Sequence, residues 1–249
     1  MGLFGLFGSK EEREKSALRK LAGKLTERYG PPENRQKAIV QLGDLGTPGA
    51  LETLLLRFTV RVDPGITDDE EKETTRALLV EAGPAAIPPI EKFVTEHDDG
   101  IAWGLHILAE LAPPEKVREV VLRELRRLGK IYTRDPEKKL VLLKWLTEHH
   151  AGAGGPALEE ALLPLLEDFS DDVRISTTRA LAALEPGVGS RDALLGLLLR
   201  DQDNARVRGE VLEALSTLGA DVKGHRPSVE PLLVEPFFLD REGKVKKRG

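Results

Sequence analysis

Leucine and alanine recur along this chain at the spacing of one helical face. The stretch Val173-Arg174-Ile175-Ser176-Thr177-Thr178-Arg179-Ala180-Leu181-Ala182-Ala183-Leu184 returns 34 residues later as Val207-Arg208-Gly209-Glu210-Val211-Leu212-Glu213-Ala214-Leu215-Ser216-Thr217-Leu218. In that register Arg174 falls on Arg208, Ala180 on Ala214, Leu181 on Leu215 and Leu184 on Leu218, positions that an α-helix presents together. Upstream, the stretch Arg35 to Gly46 repeats the pattern with Arg35, Leu42 and Leu45. Leu79 with Ala82, Leu108 with Leu111, and Leu143 with Leu146 take the same two slots. Six copies therefore run through most of the chain, at spacings of 37, 29, 35, 38 and 34 residues. Each copy is followed by a Gly or Pro break and a second apolar run, as Leu45-Gly46-Thr47-Pro48 precedes Leu51 to Phe58. The unit is helix, turn, helix. One such pair cannot bury its apolar face alone, so neighbours must stack into a solenoid.

The side chains narrow the kind of repeat. No Thr-Pro-Leu-His of an ankyrin unit occurs, and the Trp and Tyr signature of a tetratricopeptide unit is missing. The unit opens V-R-x-x-x-x-x-A-L-x-x-L, with Asp172 near Arg174 and Asp203 near Arg208. Over roughly residues 33 to 233 this resembles HEAT repeats, in particular the short bacterial HEAT-like kind. The resemblance implies an all-α, right-handed α-α superhelix of about six helix pairs. It also implies a concave face of successive helices that serves as an interaction scaffold for another protein.

The flanks read differently. Residues 1–32 hold an apolar tip, Leu3, Phe4, Leu6 and Phe7, and then a capping helix that starts at Ser9-Lys10-Glu11-Glu12 and carries Leu18, Leu21 and Leu25. The tip is read either as a weak membrane or partner-docking element or as a tail on the first repeat. The repeats fill residues 33–234 as one elongated domain. In residues 235–249, Phe237-Phe238-Leu239 and Lys244-Val245-Lys246 flank Asp240-Arg241-Glu242-Gly243, which predicts a small C-terminal hairpin with a basic end.

Composition sets bounds on chemistry. The 249 residues contain no cysteine, which excludes disulfides, thiolate metal sites and a cysteine nucleophile. No apolar run approaches the ~20 residues of a spanning helix, and the N-terminus lacks the charged start of a secretory signal, so the expected location is the cytoplasm. A net charge of −5 argues against nucleic acid as the main partner, since its binders carry a positive footprint.

Candidate chemistry is sparse. Asp68-Asp69-Glu70-Glu71 is read as a solvated start of the helix carrying Leu78 and Leu79, favoured by that helix's positive end. The most basic stretch holds Arg118, Arg123, Arg126, Arg127, Lys130, Arg134, Lys138 and Lys139. It fits an acidic partner through Arg123, Arg126, Arg127, Lys130 and Arg134, or else pairs with Glu115, Glu119, Glu124 and Glu137 at helical spacing. The recurring Arg174 and Arg208 are expected to be structural, each reaching an acid at the start of its own or the adjacent repeat. Adjacent His149 and His150 point about 100° apart on a helix, so no metal site is expected there, and no cofactor is indicated. The Gly-rich run after them lacks the Lys-Ser or Lys-Thr of a phosphate-binding loop.

The reading is therefore a protein-binding adaptor that is not an enzyme. Two enzyme readings stand beside it through the repeat resemblance. A HEAT-like DNA alkylpurine glycosylase would draw on Trp103, Trp145 and the basic stretch from Arg123 to Lys139. A chromophore-lyase role would rest on the repeats alone.

Overall fold

The computed structural model describes residues 10–149, 154–184 and 188–248. The apolar tip Leu3, Phe4, Leu6 and Phe7, the capping Ser9, His150 and most of the Gly-rich run lie outside those residues. The described chain is all-α apart from one hairpin. Its helices are α1 (Lys10–Leu25), α2 (Pro32–Leu45), α3 (Pro48–Leu55), α4 (Gly65–Glu81), α5 (Ile87–Glu96), α6 (Ile101–Leu111) and α7 (Pro114–Leu128). There follow α8 (Glu137–His149), α9 (Pro156–Leu162), α10 (Asp171–Ala183), α11 (Val188–Arg200), α12 (Ala205–Thr217) and α13 (Arg226–Val229). Strands β1 (Phe237–Leu239) and β2 (Val245–Lys247) complete it. After the capping helix α1, the order is six helix pairs from α2/α3 to α12/α13. The chain forms two compact units, Met1–Val117 and Arg118–Gly249.

In the first unit α1 packs on α2 and α3, α2 on α4, α3 on α5, and α4 on α6. In the second, α10 packs against both α8 and α12, and α11 lies on α12. First helices thus stack on first helices, the solenoid-like arrangement that the repeat predicts. All six slot leucines, Leu42, Leu79, Leu108, Leu143, Leu181 and Leu215, are fully buried. The companion slot is less uniform. Leu146 and Leu184 are buried, but Leu45 is 52% exposed, because it is the last residue of α2 and the chain turns away at Gly46. Gly46 takes φ +56° there, which only glycine adopts without strain. Gly43 makes room for a different reason. A Cβ on it would sit 2.9 Å from both Leu78 methyls, so the Leu78 side chain of α4 would have to turn aside.

Caps repeat with the leucines. The Ser170 hydroxyl accepts from the Val173 amide at the start of α10, and 34 residues on the Asn204 side chain accepts from the Val207 amide at the start of α12. The repeated arginines behave less uniformly. Arg174 donates to Asp171 Oδ1 at 2.5 Å and lies 2.9 Å from Asp201 Oδ2, an acid of its own repeat and one leading into the next. Arg208 departs from the expectation, since it donates to the Gln202 carbonyl at 2.6 Å. Asp172 is not the acid for Arg174 either. Its carboxylate takes Arg206 at 2.7 Å, because Asp172 faces the next first helix rather than its own loop.

The hairpin forms with Phe237 opposite Lys247, Phe238 opposite Lys246 and Leu239 opposite Val245. The Asp240 carboxylate closes the turn by accepting from the amides of Glu242 and Lys244, and Gly243 has the positive φ, +79°, that this turn needs. Val245 is buried, and both strands pack on α12.

Candidate functional site

The acidic run at the start of α4 corrects the sequence reading. Asp69 and Glu70 face solvent, but Asp68 and Glu71 turn inward, three residues apart on one helix face. Glu71 accepts from Arg35 Nε at 2.9 Å and from Arg57 Nε at 2.8 Å. Asp68 accepts from Arg57 Nη2 and from Lys72, both at 2.7 Å, and from the Val62 amide. Arg35 Nη1 also donates to the carbonyls of Glu27 and Gly30, and Arg57 Nη1 to that of Val60. Both guanidiniums are as buried as any leucine of the core. Burial alone opposes ionisation of Asp68, yet hydrogen bonds and charge from Lys72 and Arg57 outweigh it and hold its pKa below the usual value. This network ties α2, the turn after α3, and α4 together.

In the second unit the basic stretch divides. Lys138 and Lys139 are buried, which removes them from any outward-facing surface. Lys138 is 2.9 Å from Glu124, which also takes Arg127 at 2.6 Å. Lys139 donates to Asp168 at 2.6 Å and to the Ile131 carbonyl. Half-buried Arg126 lies 3.6 Å from Glu160, and exposed Arg123 lies 3.9 Å from Glu119. An exposed pair such as that of Arg123 stabilises by about 1 kcal/mol or less. Lys130 and Arg134 are exposed beyond the end of α7 and have no side-chain partner among the described residues.

The Glu124 cluster has a measurable signature. Burial works against its charge, but Arg127 and Lys138 more than compensate, and its pKa falls below the usual 4.5. A carboxyl with a depressed folded pKa adds stability that is fully present above the unfolded value and lost as pH falls through the folded one. Thermal melting of the wild type should therefore drop more steeply than that of Glu124→Gln as pH falls from about 5 to about 3, with the two converging at the acid end. Parallel pH profiles would show that Glu124 is not held ionised by these cations.

Two grooves run over consecutive helices. In the second unit, α8, α10 and α12 border a groove of about 600 Å³, floored by Leu140, Leu143 and Ile175. Its rim is fully paired, with Arg179 on Glu210 at 2.6 Å, Arg206 on Asp172 at 2.7 Å and Lys144 on Glu148 at 3.8 Å. The hydrogen bond that Arg179 donates to the Glu210 carboxylate raises the Arg179 pKa still further. In the first unit, α1, α3 and α5 border a groove of about 380 Å³ with Leu18, Leu56 and Phe93 at its base and Arg19, Lys92 and Glu96 at its edge.

The two tryptophans sit in different units. Trp103 stacks on Phe58 at 5.2 Å, and Trp145, buried, stacks on His149 at 3.8 Å. His149 Nδ1 is bonded to the Trp145 carbonyl at 3.0 Å. Among the described residues no cluster of His, Asp and Glu is placed to hold a metal ion, and no helix is long and apolar enough to cross a membrane.

No protein-family model matches the chain, and no curated protein matches it. Among solved structures it is similar to human deoxyhypusine hydroxylase in complex with glycerol. That likeness has 17% identity and a TM-score of 0.36, covering 89% of this chain and 93% of that one. It is also similar to an engineered protein, at 17% identity and a TM-score of 0.40, covering 81% of this chain and 96% of that one. The first of these is an enzyme. The expectation that the chain is not an enzyme is corrected on that finding, since stacked helices give no ground for excluding catalysis. At 17% identity neither likeness brings an activity or a substrate to this chain.

Proposed function

We propose that this chain is a HEAT-like repeat protein of the cytoplasm that binds a protein partner. The observation that supports this most is the groove over α8, α10 and α12. Its apolar floor lies under a rim of three cations and three anions, and such a rim selects a partner by charge pattern without attracting polyanions in general. A groove that follows successive repeats also suits a helix or extended segment, which is how stacked helices present area to proteins.

An acidic region of the partner is proposed to meet Arg123, Arg126, Arg127, Lys130 and Arg134. Arg127 is held by the buried Glu124, and Arg123 and Arg126 are loosely paired, so Lys130 and Arg134 are the cations ready for contact. Nothing in the placement of Trp103 and Trp145 favours the glycosylase reading.

A photo-crosslinking side chain at Ser176, inside the groove, tests this in host cells, with the same side chain at exposed Glu12 as the control. One protein should be captured from position 176 only, and Arg179→Glu with Arg206→Glu should cut its yield at least ~10-fold, as loss of two complementary contacts predicts. Identical captures from both positions, or a yield indifferent to the reversal, would remove the groove as the binding face.

A further inference from the structure

The groove of the first unit is open and apolar along its floor, which joins Leu18 of α1, Leu56 just after α3, and Pro89 and Phe93 of α5. The helix on one side of it is poorly covered. Among the described side chains of α1 only Leu25 is buried; every residue from Glu11 to Ala17 is exposed, and Leu18 is half-buried. An amphipathic capping helix thus leaves part of its apolar face without cover where it borders the groove.

The charges at the edge cancel. Lys92 lies 2.7 Å from Glu52, Lys15 lies 2.7 Å from Glu11, and Arg19 and Glu96 add one charge of each sign. His97 stacks on Phe93 at 4.8 Å. With no surplus of either sign, the groove has nothing to draw in a charged segment, and its floor suits an uncharged apolar one.

Such a segment is attached to the same helix. Met1-Gly2-Leu3-Phe4-Gly5-Leu6-Phe7-Gly8 has four large apolar side chains at positions 3, 4, 6 and 7 and no charged one, and it joins α1 through Ser9. The contacts of α1 fix where that junction lies. The Thr47 hydroxyl, at the start of α3, donates to the Glu14 carboxylate at 3.4 Å, and a Cβ on Gly49 would sit 3.0 Å from Leu18 Cδ1. The α1 helix therefore runs beside α3 in the same direction, and its first residue lies at the end of the groove where α3 begins. From Lys10 to Leu18 is about 12 Å along the helix, at about 1.5 Å per residue. Residues 3–9, fully extended, reach about 23 Å, so a chain that reverses at Gly8 has length enough to lay its leucines and phenylalanines on the floor. A tether this short presents the segment at an effective concentration on the order of millimolar, which a free partner rarely matches.

We propose that the segment Leu3–Phe7 docks into this groove of its own chain, covering Leu18, Leu56 and Phe93. Any other ligand of the groove must then displace it, so the segment is a built-in competitor. This goes beyond the protein-partner reading and does not depend on it. The shallower cleft on the other side of α1 is the poorer seat, because it offers only Leu21 and Leu45 beside Gln41 and Asp44.

The test replaces Phe4 with a photo-crosslinking side chain in the full chain and maps the adducts by peptide mass spectrometry. Most should join position 4 to residues 49–56 or 89–97 of the same chain, which a mixture of isotope-labelled and unlabelled protein distinguishes from adducts between chains. Leu18→Arg should cut their yield at least ~10-fold, as should Leu3→Ser with Leu6→Ser and Phe7→Ser, whereas Leu21→Arg should leave it unchanged. The serine substitutions touch none of the described packing, so they keep the test decisive should Leu18→Arg weaken α1. Adducts that fall mainly on residues 41–45, that persist after the segment loses its apolar side chains, or that respond to Leu21→Arg instead of Leu18→Arg overturn the assignment. So do adducts mainly between two chains, which would make a second copy the occupant. Transfer of the adduct to lipid when phosphatidylcholine vesicles are added also overturns it, in favour of a membrane element.

Discussion

Glu71→Ala should be among the most damaging single substitutions in this protein, lowering the melting temperature by about 10 °C. Glu71 is the carboxylate that Arg35 and Arg57 share, at 2.9 and 2.8 Å. Removing it leaves two buried guanidiniums with Asp68 as their nearest anion, and Asp68 is already divided between Arg57 and Lys72. Breaking a buried pair from one side costs about 3–5 kcal/mol, since the desolvated charge that remains cannot recover water. For a chain of this length each kcal/mol moves the midpoint by about 2–4 °C. Glu70→Ala, one residue away and exposed, should move it by less than ~2 °C. Hydrogen exchange should place the loss in α2 and α4. Equal effects of the two substitutions would mean that the ion network is not formed.

Leu181→Asp should be at least as severe in the second unit. Leu181 is fully buried in α10, the helix packed against both α8 and α12, so its side chain has no route to solvent. Losing a core leucine costs about 2–5 kcal/mol by itself, and the aspartate must then be buried charged or protonated at further cost. The total approaches the ~5–15 kcal/mol that holds a domain together, so circular dichroism should show lost helix at room temperature. Leu45→Asp is the informative comparison. Leu45 is assigned by sequence to the neighbouring slot of the same repeat pattern, but it is half exposed, and its substitution should cost under ~1 kcal/mol.

That contrast marks what periodicity can and cannot read. The leucine slot is legible because a residue that faces the seam in one repeat faces it in all, and each of the six positions is buried. Leu45 departs from the pattern because the repeat fixes a position in sequence, whereas burial at a helix terminus depends on where the chain turns. The acidic run misleads for a related reason. The buried stripe of α4 is Asp68, Glu71, Thr75 and Leu79, a correct helical spacing whose first half is charged, so a search for apolar residues begins the stripe too late. Arg57 lies inside the apolar run from Leu51 to Phe58, and a charge there is the available signal that an acid must come to meet it.

The candidate surface is legible only as composition. A basic stretch is visible in sequence, but whether each cation is spent depends on acids from elsewhere. Glu160 and Asp168, which take Arg126 and Lys139, lie 34 and 29 residues away from them.

The polar contacts between helices share one further property. Arg76 reaches Glu110 and Arg206 reaches Asp172 across 34 residues, Lys247 reaches Glu213 across 34, Arg35 reaches Glu71 across 36, and the longest of these, Lys92 to Glu52, spans 40. Each joins a repeat to its immediate neighbour, except that Lys247 joins the hairpin to the last repeat. Closing a loop of that size is entropically modest, and the cost grows only as the logarithm of length. Native structure can therefore grow outward from whichever pair of repeats forms first, each newcomer needing only the surface of the one before it. It also means that a whole repeat could be duplicated or removed without breaking any of these ties between the repeats that remain adjacent, which makes the number of repeats a quantity that selection can change in single steps.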